Sequence, residues 1–229
     1  MKKYQLLFKI SAVLSYLFFV FGLSQLTLIV QNYWQFSSQI GNFVWIQNLL
    51  SLLFSGVMIW ILVKTGHGCL FRIPRKKWLW YSILTVLVAV VHISFNIQTA
   101  RYVQSTAEGW AVLIGYSGTN FAELGIYIAL FFLVPLMEEL IYRGLLQHAF
   151  FKDSRFALDL LLPSILFALP HFSNFPSLLD IFVFATVGII FAGLTRYTKS
   201  IYPSYAVHVI NNIVATLPFL LTFLHRVFG

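Results

Sequence analysis

The sequence predicts an all-α fold, a polytopic transmembrane bundle of about seven helices. Composition, the length of the apolar runs, and the placement of Lys and Arg point to it. Of 229 residues, 59% are hydrophobic and 10% charged, whereas a soluble domain carries about 25% charged residues. Several uncharged runs reach the roughly 20 residues with which a helix crosses about 30 Å of hydrocarbon. A backbone in lipid must satisfy its own hydrogen bonds, and these runs are continuous rather than alternating, which excludes a β-barrel.

In chain order, Ile10 to Val30, Phe43 to Val63 and Leu79 to Ile97 are uninterrupted spans. The first exceeds the apolar core of a signal peptide, roughly 7–15 residues, and no small-x-small cleavage site follows promptly, so it reads as a retained span. Four further apolar stretches carry polar residues that are expensive in lipid: Phe121 to Phe150, Phe156 to Leu169, Leu178 to Leu194 and Ile201 to Leu224. The stretch Tyr102 to Asn120 has enough apolar residues to dip into the membrane or make an eighth crossing. A crossing there would put Arg143, Lys152, Arg155, Arg196 and Lys199 outside, against the enrichment of basic residues in cytoplasmic loops.

With the N-terminus cytoplasmic, the inner side holds Lys2, Lys3 and Lys9, then Lys64, Arg72, Arg75, Lys76 and Lys77, then Arg143, Lys152, Arg155, Arg196 and Lys199, leaving Arg101 and Arg226 outside. The net charge of +8 therefore reads as topology in short flanking loops, with membrane lipids as partners and no nucleic acid. The basic loop Lys64 to Lys77 is expected against anionic headgroups. Cys69 has no partner for an intrachain disulfide. No hydropathy repeat and no low-complexity linker divides the chain, so residues 1–229 read as one membrane domain, expected in the cell membrane, with residues 121–220 as a core that bears its polar residues.

That core holds the chemistry. On a helix, Glu139 and Arg143 are four apart, in the favourable order for an ion pair. Glu138 points about 100° away, which leaves it without a cation on its own face and makes it the candidate reactive group. Three charges at a helix end are ordinarily interfacial, but the neighbours argue otherwise. Counting from the basic turn at Ser154, Glu138 lies sixteen residues before and His171 seventeen after, equal depths in an antiparallel hairpin. The next hairpin, turning near Lys199 to Pro203, brings His208 and Asn212 to within about three turns of the same side. His208 and Asn212 share a face, with Asn211 as a rival at i+3. His92 and His148 read as satisfied core residues, and Asp159, Asp180 and Glu123 as charges near helix ends, explained by interfacial solvation or an N-terminal dipole.

These residues carry a resemblance to the CPBP family, the CAAX protease and bacteriocin-processing membrane proteins also called Abi proteins. The EExxxR pattern stands at Glu138-Glu139-Leu140-Ile141-Tyr142-Arg143, FxxxH at Phe167-Ala168-Leu169-Pro170-His171, and HxxxN at His208-Val209-Ile210-Asn211-Asn212. The resemblance covers about Phe121 to Leu220 and implies an intramembrane endopeptidase. It implies Glu138 as general base with His171 positioning the water, and His208 with Asn212 as an oxyanion hole. Glu139, Arg143 and Phe167 would be supporting residues. The substrate class it implies is a lipidated or hydrophobic peptide or protein.

A Glu and two His side chains, Glu138, His171 and His208, form a set that zinc takes with water in the fourth position. There is no HExxH helix, and a ligating Glu138 would leave only the Arg-paired Glu139 as base. No cofactor and metal-independent hydrolysis are therefore favoured, with zinc the alternative. Two other functions stay open: bacteriocin self-immunity or peptide processing within the same family, and, from another class, a proton or ion transporter.

Overall fold

The computed structural model describes residues 2–23, 40–99, 119–150, 154, 156–172 and 176–229, and every regular element among them is helical. Helix α1 is Lys2–Leu17, continued by a π turn over Phe18–Leu23; α2 is Ile40–Lys64; α3 is Trp78–Thr99. Helix α4 runs from Asn120 to Ala149, and α5 is Leu158–Ala168 with a closing 3₁₀ turn over Leu169–His171. Helices α6, α7 and α8 are Leu178–Thr198, Tyr202–Ala215 and Leu217–Phe228.

Five of these helices are long and apolar enough to cross a membrane; α7 and α8, bent by 69°, reach that length and apolarity only as a pair, as a broken span or a re-entrant loop, and α5 is a shorter apolar helix. The bend follows from Pro218, which has no N–H to continue the ladder. Seven hydrophobic helical units agree with the sequence expectation. The end of the first span beyond Leu23, the question of a crossing between Tyr102 and Asn120, and Arg101, Lys152 and Arg155 lie outside the described residues.

The outer surface is apolar: Leu53, Trp60, Leu79 and Val91 are all more than half exposed, as suits a surface solvated by lipid. The interior centres on α4, which is packed by α1, α2, α5, α6 and α7. Its approach to α2 is close, since a Cβ on Gly125 would fall 2.7 Å from Val44 Cγ1. Asn48 Nδ2 ties the two helices by donating to Gly125 O at 2.9 Å. Helix α6 lies along α5, and a Cβ on Gly188 would fall 2.7 Å from Ser164 Cβ. That tight seam fixes where α5 ends, and so where His171 sits.

One end of the bundle gathers the basic segments. Lys9 Nζ lies over Phe150, Phe8 stacks on His67, and His67 meets His148 edge to face. Ile201 N–H and Ser200 Oγ both donate to Leu70 O, docking the α2–α3 loop on the α6–α7 turn. Arg143, expected among these flanking charges, is instead fully buried inside the bundle, so it cannot act as a charge in a loop. The three acids at helix starts do more than meet a dipole. Asp180 forms a capping box with Ser177, Asp159 is buried and pairs with Arg196 at 3.2 Å, and Glu123 is buried and pairs with Arg226.

Candidate active site

Around its two glutamates α4 is not a regular α-helix. Ala129–Leu133 and Glu139–Leu146 are π-helical, with one α turn, Val134–Glu138, between them. π segments inside helices are frequent at functional sites, and Pro135 gives this one a local cause. Val134 N–H donates to Ala129 O; next in that i to i−5 ladder, Pro135 has no N–H to give Leu130. Leu130 O accepts instead from Asn212 Nδ2 at 2.9 Å.

The adjacent carboxylates close on two edges of one ring. His208, on α7, has Nε2 3.3 Å from Glu138 Oε2 and Nδ1 3.3 Å from Glu139 Oε1. All three side chains are buried. The sequence left Glu138 without a cationic partner because it counted only neighbours on the same helix face; the partner comes from across the bundle.

The expected pair forms between Glu139 Oε2 and Arg143 Nε, at 3.6 Å. The Arg143 guanidinium has no hydrogen bond among the described residues. Its Cζ instead sits 5.0 Å from the ring centre of Phe167, 5.6 Å from Phe191 and 5.8 Å from Tyr142, and ring faces attract a cation electrostatically. The His208 ring bridges the two carboxylates, and Arg143 offsets Glu139. Burial of charge away from water demands such pairing.

His171 arrives on α5 beside this cluster, its ring packed on Phe167, which also packs on His208. Pro170, with no N–H, makes no 3₁₀ bond to Phe167 O, and that carbonyl accepts from His171 Nδ1 at 2.7 Å. A carbonyl only accepts, so the ring carries its hydrogen on Nδ1 and presents a lone pair at Nε2. The ring is held between Phe167 at 4.7 Å and Phe184 at 4.9 Å. Phe167 thus touches His171, His208 and Arg143 together.

Among the described residues no hydrogen bond joins Asn212 to either glutamate. Asn212 Nδ2 is on Leu130 O and its Oδ1 accepts from Asn211 Nδ2 at 3.3 Å. Asn211, left as a rival to Asn212, is therefore its neighbour in a hydrogen-bonded row. That row continues into α3: Asn96 Nδ2 donates to Asn211 Oδ1 at 2.7 Å and lies 3.3 Å from His92 Nε2. His92, read as core, is indeed fully buried, but it packs on Phe191, which also packs on His208. A signal for it existed, since His92 and Asn96 are four apart on one face of α3, the spacing of His208 and Asn212.

Among the described residues no three His, Cys, Asp or Glu side chains converge so as to hold a metal ion. Both His208 nitrogens face carboxylates and His171 Nδ1 is committed to Phe167 O.

No curated protein and no solved structure matches the chain. Residues 120–214 match the family described as type II CAAX prenyl endopeptidase Rce1-like. The matched interval opens on the first residue of α4 and closes two residues beyond Asn212, enclosing all three motifs. Over this interval, in its second half, the chain is similar to the Rce1-like type II CAAX prenyl endopeptidases.

Proposed function

We propose that the chain is an intramembrane endopeptidase that hydrolyses a peptide bond near the C-terminal end of a lipidated or hydrophobic peptide, using water activated by Glu138. The observation that carries this is the convergence of α4, α5 and α7, which puts Glu138 in contact with His208 and sets His171 beside them across the Phe167 ring.

In this reading Glu138 takes one proton from the water while His171 Nε2 accepts its other hydrogen. The water oxygen bonds to the carbonyl carbon, and negative charge moves to the carbonyl oxygen. His208 Nε2–H and the second N–H of Asn212 meet that charge; an oxyanion donor contributes about 2.7–4 kcal/mol to the barrier reduction. Glu138 then passes its proton to the leaving nitrogen as the carbon–nitrogen bond breaks. A positioned base contributes roughly 10²–10⁴-fold. Glu139 accepts from His208 Nδ1 and so keeps Nε2 toward the reacting groups, and Arg143 balances Glu139.

We read the site as metal-independent, on the ground that there is no HExxH helix and that a ligating Glu138 would leave only the Arg-paired Glu139 as base. The end of the bundle where the basic segments gather is read as cytoplasmic, so the substrate approaches from that side. The test is mass spectrometry of a farnesylated CAAX peptide incubated with protein in lipid nanodiscs. A single cut near the C-terminal end is expected, and a peptide left intact would contradict the proposal.

A further inference from the structure

We propose that Asn96 on α3, backed by His92, is a positioning residue for Asn212, acting through Asn211 so that the Asn212 carboxamide offers N–H rather than C=O to the reaction. This deepens the proposed function and rests on it.

The row His92, Asn96, Asn211, Asn212, Leu130 O has one direction. A backbone carbonyl can only accept, so Leu130 O obliges Asn212 to present Nδ2 there at 2.9 Å. Asn212 Oδ1 is then the acceptor for Asn211 Nδ2 at 3.3 Å, and Asn211 Oδ1 the acceptor for Asn96 Nδ2 at 2.7 Å. The second Asn96 N–H points to His92 Nε2 at 3.3 Å, which must accept, so His92 carries its hydrogen on Nδ1. Turning any one amide over sets acceptor against acceptor at its neighbour, and the fault runs to Leu130 O. Chains of this kind polarise one another and are costly when part-satisfied.

The geometry also says why a device on α3 is useful. Of the two Asn212 amide hydrogens, one is spent on Leu130 O and one is free for the substrate oxygen. Reversal of the amide would put a lone pair where negative charge develops. Asn96 and His92 come from the half of the chain outside the family match, and α3 packs directly on α7. Helix α3 thereby acquires a part in catalysis beyond spanning the membrane.

The experiment measures kcat and KM with a quenched fluorescent farnesylated CAAX peptide for wild type, N96L, N96D, H92L and H92Q, and for N96L in an N212A background, each checked by thermal unfolding. Asn96→Leu and Asn96→Asp remove the donor and should lower kcat about tenfold with KM within about twofold, the signature of an interaction made in the transition state. His92→Gln keeps an acceptor near the Nε2 position and should recover the rate that His92→Leu loses. Asn96→Leu should cost nothing further once Asn212 is alanine, because residues acting through one group are not additive. An unchanged kcat in N96L, an equal loss in both backgrounds, or H92Q as slow as H92L would each overturn the inference while leaving the protease standing. If N96L does not fold, the His92 pair decides. A wild type that cleaves nothing overturns the proposed function and this inference with it.

Discussion

Arg143 offers the sharpest test of how the site is built, because it is fully buried and its guanidinium has no hydrogen bond among the described residues. Replacing it with Met keeps much of the volume and removes the charge. At the 3.6 Å separation from Glu139, the lost attraction is about 4–5 kcal/mol at an effective dielectric of about 20. Breaking a buried pair from one side costs about 3–5 kcal/mol, since the surviving charge is left uncompensated. At about 2–4 °C per kcal/mol for a chain of this size, the melting temperature should fall by roughly 6–20 °C. Tryptophan fluorescence during a thermal ramp in detergent reads it. Arg143→Lys should fall between the two, because an ammonium lacks the flat face that Phe167, Phe191 and Tyr142 enclose. Glu139→Gln combined with Arg143→Met should cost less than the sum of the singles by about 1–3 kcal/mol. A Met variant as stable as wild type, or strict additivity, would refute the paired, ring-caged guanidinium as the organiser of the site.

Two further outcomes follow from particular contacts. His171→Ala should lower kcat about a hundredfold with little change in KM, as expected for a group that places the water; a change confined to KM would assign His171 to substrate binding instead. Gly188→Ala sets a Cβ 2.7 Å from Ser164 Cβ and 2.8 Å from Ser164 Cα, and should cost about 1–3 kcal/mol by overpacking. Gly144→Ala meets the end of the Leu62 side chain, which can turn aside, and should cost less; equal melting shifts for the two would contradict this account of the α5–α6 seam.

Most of the fold was legible because lipid leaves few options: apolar runs near Phe43 to Val63 and Leu79 to Ile97 have to be helices, and α2 and α3 stand there. The depth count from Ser154 correctly paired α4 with α5, since a hairpin in a membrane makes distance along the chain a measure of distance across the bilayer. Partners across the bundle were not legible. Glu138 meets His208, and Arg143 sits among Phe167, Phe191 and Tyr142, because helix rotation and packing bring them together, and no spacing within one helix reports that. The π segments of α4 were missed for a similar reason. Pro135 announced a lost hydrogen bond, but only the position of Asn212 shows which carbonyl receives a new donor. His92 and Asn96 were overlooked because a lone polar pair on an apolar helix has no meaning until its facing helix is known.

The most direct test of the central claim is cleavage of a quenched fluorescent farnesylated CAAX peptide by detergent-purified protein, comparing wild type with Glu138→Gln before and after exhaustive chelation. Glutamate-based hydrolysis requires that wild type cleave, that Glu138→Gln lose nearly all activity while melting normally, and that chelation leave the wild-type rate unchanged. Full activity in Glu138→Gln, or a wild-type rate abolished by chelation and restored by zinc, would contradict it.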